Sequence, residues 1–300
     1  MSAIATGVIF LAIGADLLWG EPPERIHPVV AFGRVVQALT RDWRRPALVG
    51  VAVAVALPVL YGGLAAATVL LGAAIHPLAA TILAGAILTV NLSVRGLLDA
   101  GADLLETADR SPGDAEAAAR ALVGRETDDL GPDALRSAAI ESLAENLADG
   151  LIGPLVAFAL GSLVALPVGV GAAAWVKAIN TLDSMLGYRD QPMGAASARL
   201  DDVVQWLPAR ATAGLLAVAA GAPGAVLTAR RWAAEPRSPN SGWPMATIAA
   251  VLDRTLVKPG AYALHPGAGL PDAADGTRTL RVVRRAGLLG VALAGVIAWW

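Results

Sequence analysis

Long apolar runs alternate with short polar segments along the chain, and several runs approach the length that crosses a lipid bilayer. Residues 47–71 contain no charged side chain, and after a His-Pro pair residues 78–94 are again mostly apolar. A membrane-spanning helix needs about 20 apolar residues. The pattern therefore predicts two successive membrane helices with a tight turn between them at His76.

The first apolar segment, residues 3–19, is shorter and is interrupted by Asp16. It lacks a basic leader and a small-residue cleavage site, so we expect a membrane helix and not a removed signal peptide. A carboxylate inside such a segment usually marks a partner or a binding site. Residues 20–36 then predict a Pro-rich turn followed by a short helix.

The last third of the chain mixes apolar runs with turns. Residues 211–227 either span the membrane or turn back at the Gly-Ala-Pro-Gly sequence at 221–224. Residues 246–257 predict an apolar helix, and the Gly- and Pro-rich residues 258–277 predict a loop. Residues 286–300 follow several Arg side chains and predict a final membrane helix.

Two polar clusters flank an uncharged stretch at residues 151–174. Before the stretch, Glu141, Glu145 and Asp149 recur every four residues, so on a helix they form one stripe. Asn146 lies beside Asp149 at a spacing of three. After the stretch, a second cluster shares one helical face and comprises Lys177, Asn180, Thr181 and Ser184, with Asp183 three residues after Asn180.

The uncharged stretch is broken near its middle by Gly161 and Pro167. If the chain reverses there, Asp149 and Asn180 are level with each other, each about 18 Å from the turn. This is less than the hydrocarbon thickness of about 30 Å. We therefore favour a re-entrant-type helical hairpin with both clusters at one surface. The alternative is a single spanning helix over 150–174, which would put the clusters on opposite sides.

The composition agrees with an integral membrane protein. Of the 300 residues, 56% are hydrophobic and 16% are charged, with a mean hydropathy of +0.59. Soluble domains carry about 25% charged residues. The net charge of −2 gives no general attraction to nucleic acid. The absence of Cys excludes disulfides and thiolate metal sites, and no pair of the three His residues has helical ligand spacing.

Basic residues indicate the orientation in the membrane. The segment 20–46 contains five Arg residues, which predicts a cytoplasmic location for it and for the segment after residue 94. Residues 95–140 predict a mainly soluble helical insertion. The fold expected is an all-α, polytopic integral membrane protein with about four to five spanning helices. We expect a single domain over 1–300 that contains the re-entrant-type hairpin and the cytoplasmic helical segment.

Several polar positions outside the hairpin are candidates for chemistry, each with a structural alternative. Adjacent Asp201 and Asp202 suit a hydrated magnesium ion but also suit a helix N-terminus. The Ser-Pro-Asn-Ser-Gly-Trp-Pro turn at 238–244 offers backbone N–H groups to an anion, although such turns are common. Arg95 and Arg125 suit a polyphosphate or belong to a solvated helix face.

The order and length of these motifs resemble the CobD/CbiB family of cobalamin biosynthesis, the adenosylcobinamide-phosphate synthases. The stretches that carry the resemblance are DLLWGEPPERIHPVVAFGR, VGRETDDL, AAIESLAENLADGLIGPL, VKAINTLDSMLGYRD, GAASARLDDVVQWLPAR and SPNSGWP. Three departures stand out: Trp175 replaces a usual Tyr, residues 256–262 replace a Gly-Gly-Pro stretch, and around Arg95 only that residue matches with confidence.

The resemblance implies that ATP drives amide formation between a propionate of adenosylcobyric acid and (R)-1-amino-2-propanol or its O-phosphate. Such a reaction needs an activated carboxylate and a deprotonated amine. Chemical reasoning then assigns catalytic roles to Glu141, Glu145, Lys177 and Asp183. The expected substrate-binding residues are Asp16, His27, Arg34, Arg95, Arg125, Asn146, Asn180, Arg199, Ser238 and Asn240. Magnesium on the nucleotide is assigned to Asp149, Asp201 and Asp202.

We expect the active site to face the cytoplasm from the cell membrane. The partners expected are the corrinoid, the amino-alcohol, the lipid bilayer and other membrane enzymes of the corrinoid pathway, and no nucleic acid. The alternative is an ion-coupled membrane transporter, since broken helices with intramembrane carboxylates also describe such carriers. The sequence leaves open which form of the amino-alcohol is used, the role of each carboxylate, the number of spans and the oligomeric state.

Overall fold

The computed structural model describes residues 2–108, 118, 119, 122, 131–187 and 191–300. In these residues the regular secondary structure is almost entirely helical. The N-terminal helices are α1 (Ser2–Trp19), α2 (Pro28–Leu39), α3 (Pro46–Ile75), α4 (Pro77–Val90), α5 (Arg95–Thr107) and α6 (Pro132–Leu147). A π-helical turn (Ala148–Ile152) joins α6 to α7 (Gly153–Ser162), which is followed by α8 (Leu166–Leu186). The remaining elements are α9 (Ala195–Val204), α10 (Trp206–Ala219), α11 (Ala225–Ala229), α12 (Gly242–Leu252), β1 (Leu256–Lys258), β2 (Tyr262–Leu264) and α13 (Ala273–Trp299).

Four helical segments in the described chain are long and apolar enough to cross a membrane. They are Pro46–Ile75, Pro77–Thr107, Pro132–Ser162 and Ala273–Trp299. The prediction of an all-α polytopic membrane protein is confirmed. The predicted start of the last helix at residue 286 is wrong, because the helix begins at Ala273. The first helix runs through Asp16 without a break, although that side chain is fully buried.

Proline and histidine fix where several helices begin. Pro28, Pro46 and Pro77 each stand in a first helical turn, where the missing N–H has no intrahelical partner to lose. His27 Nδ1 accepts a hydrogen bond from the N–H of Val29 at 3.2 Å. His76 caps α4 in the same way. Both histidines therefore act as N-caps, and the predicted short helix after residue 20 is confirmed.

The chain divides into two compact units. The first comprises Met1–Ser93, Asp149–Gln205 and Val291–Trp300, and the second comprises Val94–Ala148 and Trp206–Gly290. Because neither unit is one continuous stretch, the prediction of a single domain over 1–300 stays a prediction. Both described flanks of the predicted soluble insertion, α5 and α6, belong to the long apolar segments. The soluble character of residues 95–140 also stays a prediction.

In the first unit, α7 and α8 form the predicted hairpin. The chain turns at residues 163–165, which rules out a single spanning helix over 150–174. The two helices approach closely at Gly161 and Gly169. A Cβ atom on Gly169 would lie 2.8 Å from the carbonyl oxygen of Phe158. Only glycine permits so close an approach, so these residues set the contact between the two arms.

The other face of α8 packs on α3 and α2. A Cβ atom on Gly62 would lie 2.6 Å from the carbonyl oxygen of Gly171, so small residues again set the contact. Towards the C-terminal end of α8, buried side chains from the three helices form a core. Its members are Phe32, Val36, Val53, Ala178, Leu182 and Leu186. The core fixes the polar C-terminal half of α8 against the short helix that follows His27.

The second unit is built around α6, whose side chains are buried over most of its surface. Helices α5 and α12 and strand β1 pack against it. The two strands pair antiparallel with Val257 opposite Ala263. The predicted loop over 258–277 is therefore wrong in part. In the described residues these two strands form the only β-hairpin.

The bounds of α12 differ from the prediction because of the backbone at Asp253. This residue adopts a left-handed conformation with φ of 55° and ends the helix at Leu252, whereas the prediction was 246–257. Gly221 has φ of +68° and ends α10, so the chain turns back there instead of spanning over 211–227.

Candidate functional site

In the first unit, Asp149 and Asn180 meet between the two arms of the hairpin. The Nδ2 of Asn180 donates a hydrogen bond to Oδ2 of Asp149 at 3.1 Å. This bond confirms that Asp149 and Asn180 lie level with each other on the two arms. Asp149 stands in the π-helical turn between α6 and α7. Such turns are rare and occur often at functional sites, because they re-aim side chains that a regular helix would not bring together.

Lys177 lies one helical turn before Asn180 and has carboxylates around it. The two carboxylates with the strongest electrostatic effect on its ammonium group are Glu21 and Asp149. The attraction of these carboxylates favours the charged form of Lys177 and opposes the effect of its burial. The sequence also predicts that Lys177 and Glu145 lie across the hairpin from each other, and this stays a prediction.

Glu21 joins this cluster to the segment before α2. One carboxylate oxygen accepts a hydrogen bond from Ser93 Oγ at 2.5 Å, and the other lies 3.8 Å from Nε2 of His27. The N–H of Ser93 also donates to the carbonyl oxygen of Gly150 at 3.2 Å, next to Asp149. Sequence reasoning missed Glu21 and Ser93, because neither lies at helical spacing from the residues it contacts.

His27 is buried and neutral in this setting. Burial lowers the pKa of His27 below its ordinary value; Glu21 acts to raise it, and the Lys177 ammonium lowers it. Because Nδ1 accepts the N–H of Val29, the ring proton belongs on Nε2, which faces Glu21. A charged His27 would carry protons on both nitrogens and lose the N-cap.

Other predicted residues of this unit are more dispersed. Asp16 and Asp201 are buried, Asp183 and Asp202 are partly buried, and Arg34 and Arg199 are exposed. Within the described residues, no three Asp, Glu or His side chains form a group that could hold a metal ion. A magnesium ion that arrives on a nucleotide needs only one or two carboxylates. The assignment of Asp149, Asp201 and Asp202 to magnesium therefore stays a prediction.

In the second unit, a cavity of about 570 Å³ is bounded by α6, the turn before α12 and the β-hairpin. Its lining carries charged side chains of both signs together with hydroxyl groups. The polar side chains of the lining are Glu145, Glu235, Arg237, Ser238, Ser241, Lys258 and Tyr262. A volume of several hundred Å³ is typical of small-molecule sites. The predicted residues Glu145 and Ser238 therefore lie at one cavity.

Glu141 lies one helical turn before Glu145 and is reached through Tyr262. The Tyr262 hydroxyl donates to Oε2 of Glu141 at 3.2 Å and also approaches Sδ of Met245 at 3.9 Å. Glu141 is 4% exposed, whereas Glu145 is partly exposed and lines the cavity. Of these two predicted catalytic residues, Glu145 is the one that lines the cavity.

Arg210 holds the turn before α12 in place. Its guanidinium donates to Oδ1 of Asn240 at 3.0 Å and lies 4.3 Å from the ring centre of Trp206. The N–H of Asn240 donates to Ser238 Oγ at 3.2 Å. Asn240 is thus a buried support of the turn, while Ser238 faces the cavity. Sequence reasoning did not single out Arg210.

The remaining predicted residues occupy separate places. Arg95 forms an ion pair with Asp99 at 3.4 Å on one face of α5. Asn146 is partly buried on α6. Arg125 lies outside the described residues, as does the whole segment 123–130.

Each of the two sets of residues offers charged groups to a polar ligand. The cavity of the second unit offers cations for an anion and carboxylates for an amine or its proton. The cluster of the first unit offers a partly buried ammonium beside a carboxylate and an amide, which can orient a polar substrate group. Neither arrangement by itself names a substrate.

Comparison with known proteins does name a family. A family model described as CobD/Cbib protein matches residues 9–289. A probable cobalamin biosynthesis protein CobD from Methanothrix thermoacetophila is 32% identical, over 97% of this chain and 96% of its own length. Cobalamin biosynthesis proteins CobD from Mycobacterium tuberculosis and Rhodobacter capsulatus are 39% and 36% identical, over 86% and 97% of this chain and 82% and 96% of their own lengths. No solved structure matches the chain.

Proposed function

Because the chain belongs to the CobD/CbiB family, we propose that it acts in cobalamin biosynthesis as an amide-forming ligase in the cell membrane. It would join a propionate of adenosylcobyric acid to (R)-1-amino-2-propanol or to the O-phosphate of that amine. The observation that carries the proposal is the family match over residues 9–289, together with relatives whose names assign them to this pathway. The fold adds apolar helices suited to a bilayer.

The reaction proposed has two steps. The corrinoid carboxylate attacks the terminal phosphorus of ATP, which releases ADP and leaves an acyl phosphate. The amine nitrogen then attacks the acyl carbon, inorganic phosphate leaves, and a general base takes the amine proton. Magnesium, when bound with the nucleotide, would neutralise phosphate charge.

Side chains of this protein fit the second step in particular. Glu145 lines the cavity and is the candidate base, with Glu141 and Tyr262 behind it. Lys177 is the candidate cation that would stabilise the negative charge developing on oxygen atoms during the reaction. The cytoplasm supplies ATP, so the active site should face the cytoplasm, in agreement with the Arg-rich segment 20–46.

The test uses the purified full-length protein in lipid nanodiscs with adenosylcobyric acid, ATP, Mg²⁺ and the amine or its phosphate. Mass spectrometry of the corrinoid should show the mass of the amide, and omission of ATP should abolish it. Glu145→Gln should lower the rate about 10²- to 10⁴-fold, as expected for loss of a general base. Asp103→Asn, a neutralised exposed carboxylate on α5 outside the cavity, should leave the rate unchanged.

The competing reading as a transporter predicts a different result. In sealed vesicles, a carrier would move the corrinoid or the amine across the bilayer and leave both chemically unaltered. Transport without amide formation would overturn the proposed function. None of the relatives described above bears the name of a transporter.

A further inference from the structure

Helix α13 carries basic side chains on the surface that the protein leaves exposed. Four Arg side chains of its N-terminal half are exposed and form what we term the Arg face: Arg278, Arg281, Arg284 and Arg285. No acidic residue follows Asp275 in this helix. Asp275 itself is buried and accepts a hydrogen bond from Arg254 at 2.6 Å. The Arg face therefore carries positive charge that no carboxylate of its own helix offsets.

The four guanidinium groups are open to an external partner. In the part of the chain that the structure describes, no carboxylate forms an ion pair with any of them. Arg281 donates from Nε to the carbonyl oxygen of Thr277 at 3.5 Å, a long contact that leaves its other N–H groups for a ligand. The planar fork of a guanidinium group matches the oxygens of a phosphate. The Arg face therefore suits a phosphate-bearing partner.

Apolar side chains continue the same face directly after the Arg residues. Positions three or four apart lie on one side of a helix. One stripe with that spacing contains Arg278, Arg281, Arg285 and Leu288. Leu288 is 57% exposed, and Leu289 beside it is 39% exposed. The helix is one of the four segments that are long and apolar enough to cross a membrane. The stripe thus passes from charge to exposed Leu within a single helix.

The spacing of the Arg residues matches the thickness of a lipid headgroup layer. A bilayer is about 40–45 Å thick with a hydrocarbon core of about 30 Å, so each headgroup layer is about 5–8 Å thick. Arg281 and Arg285 lie about 6 Å apart along the helix axis. With Leu288 at the edge of the hydrocarbon, both guanidinium groups stand among the headgroup phosphates. Arg278 lies about 5 Å further towards the water, within the Debye length of about 8 Å at physiological salt.

We propose that the Arg face of α13, with Leu288 and Leu289 next to it, is a binding surface for anionic phospholipids and selects them over zwitterionic ones. The guanidinium groups bind the phosphate, and the two Leu side chains pack on the acyl chains. A zwitterionic headgroup binds less well, because its own cation repels the Arg side chains. The occupant is a lipid and not a soluble anion, because the exposed Leu side chains need an apolar partner. Such a surface requires only the bilayer and not the amide-forming reaction.

The cysteine-free chain allows this surface to be probed at one position. The test uses full-length Leu288→Cys, labelled with a fluorophore, in phosphatidylcholine nanodiscs. The probes are phosphatidylglycerol and phosphatidylcholine with bromine atoms at the same acyl positions, which quench a fluorophore that they touch. We expect phosphatidylglycerol to bind beside the label at least about fivefold more strongly, which is the effect of a single basic residue at a charged surface. High salt should reduce this preference, because it screens exposed charges.

Leu64→Cys on α3 is the matched control position. Leu64 is 68% exposed, and it lies about 28 Å along the helix from Arg45, the nearest preceding charged residue. At this position the two lipids should quench equally. Changing both Arg281→Gln and Arg285→Gln should remove most of the preference at Leu288→Cys. Changing the same two residues to Lys should retain most of it, because the positive charge remains.

Four outcomes would overturn the proposal. The first is equal quenching by the two lipids at Leu288→Cys, and the second is a preference that persists undiminished in the Gln variant. The third is an equal preference at Leu64→Cys, which would mean a general attraction of anionic lipids to the protein. The fourth is displacement of phosphatidylglycerol by inorganic phosphate but not by chloride at the same ionic strength, which would assign the Arg face to a soluble anion. If the Gln variant does not fold, the comparison of the two label positions with all four Arg residues present decides.

Discussion

At the scale of single residues, burial of His27 makes the stability of the protein depend on pH. Burial lowers the pKa of His27 in the folded protein, whereas in the unfolded chain it is near 6.5. Between these two values the unfolded chain binds a proton that the folded protein does not. The free energy of unfolding should therefore fall as the pH is lowered from above 6.5 to the folded pKa, and stay level below it.

The measurement is the thermal unfolding temperature of the purified protein in detergent between pH 8 and pH 5, at constant ionic strength. His27→Asn is the informative variant, because Asn caps a helix well but does not titrate. We expect it to remove part of the acid-induced loss of stability. The same pH profile in both proteins would show that His27 does not contribute.

The hydrogen bond between Asp149 and Asn180 makes a second prediction at this scale. Asn180→Asp would place two carboxylates 3.1 Å apart and should lower the free energy of unfolding by about 1–3 kcal/mol at pH 7.5. Asp149→Asn retains a partner for Asn180 and removes one of two carboxylates near Lys177. The measurement is denaturation in detergent. Ser184→Asp is the control, because it adds a carboxylate at an exposed position of α8. An equal effect of Asn180→Asp and Ser184→Asp would contradict the contact.

Sequence reasoning found Asp149 and Asn180 but not Glu21, Ser93 or Arg210. Helical spacing and the Gly-Pro break were enough to align the first pair, since both residues stand on arms of one hairpin. Ser93 meets Glu21 across 72 positions, and Arg210 meets Asn240 across 30. Contacts of that kind depend on how helices pack, which the spacing within one helix does not reveal.

At the scale of elements, the contact between α7 and α8 depends on the absence of side chains at its glycines. Gly169→Ala would place a methyl group 2.8 Å from the carbonyl oxygen of Phe158 and should cost about 1–3 kcal/mol of stability. Gly63→Ala is the control, since no heavy atom lies within 4 Å of its added methyl group. The unfolding temperature in detergent should fall for the first variant and not for the second. Equal temperatures would mean that the arms separate more easily than the structure shows.

The hairpin of α7 and α8 was predictable, because Gly and Pro interrupt an uncharged stretch. The β-hairpin was not predictable from the sequence. Each of its strands has only three residues, too few for the alternation of polar and apolar positions to be recognised.

The early start of α13 was also missed. There Asp272 and Asp275 each accept the backbone N–H of the other at 3.0 Å, and Arg254 donates to Asp275 at 2.6 Å. This cap involves an Arg from the segment between α12 and β1, which the local sequence does not indicate.

At the scale of the whole molecule, the cysteine-free chain permits a direct test of orientation. We expect single cysteines at Glu24 and Ser184, both exposed, to react with an impermeant maleimide from the cytoplasmic side. A cysteine at His76, in the turn between α3 and α4, should react only from the opposite side. Labelling of Glu24→Cys and Ser184→Cys from different sides would contradict the prediction that the polar cluster on α8 lies at the cytoplasmic surface.

We propose that the protein forms an amide from a corrinoid propionate at the expense of ATP. The most direct measurement starts from adenosylcobyric acid with ¹⁸O in both oxygens of the reacting carboxylate and follows the label by mass spectrometry. A reaction through an acyl phosphate leaves one ¹⁸O in the amide carbonyl and one in the inorganic phosphate released, because the acyl phosphate breaks at its carbon–oxygen bond. Absence of amide, or amide formed with no ¹⁸O in phosphate, would contradict it.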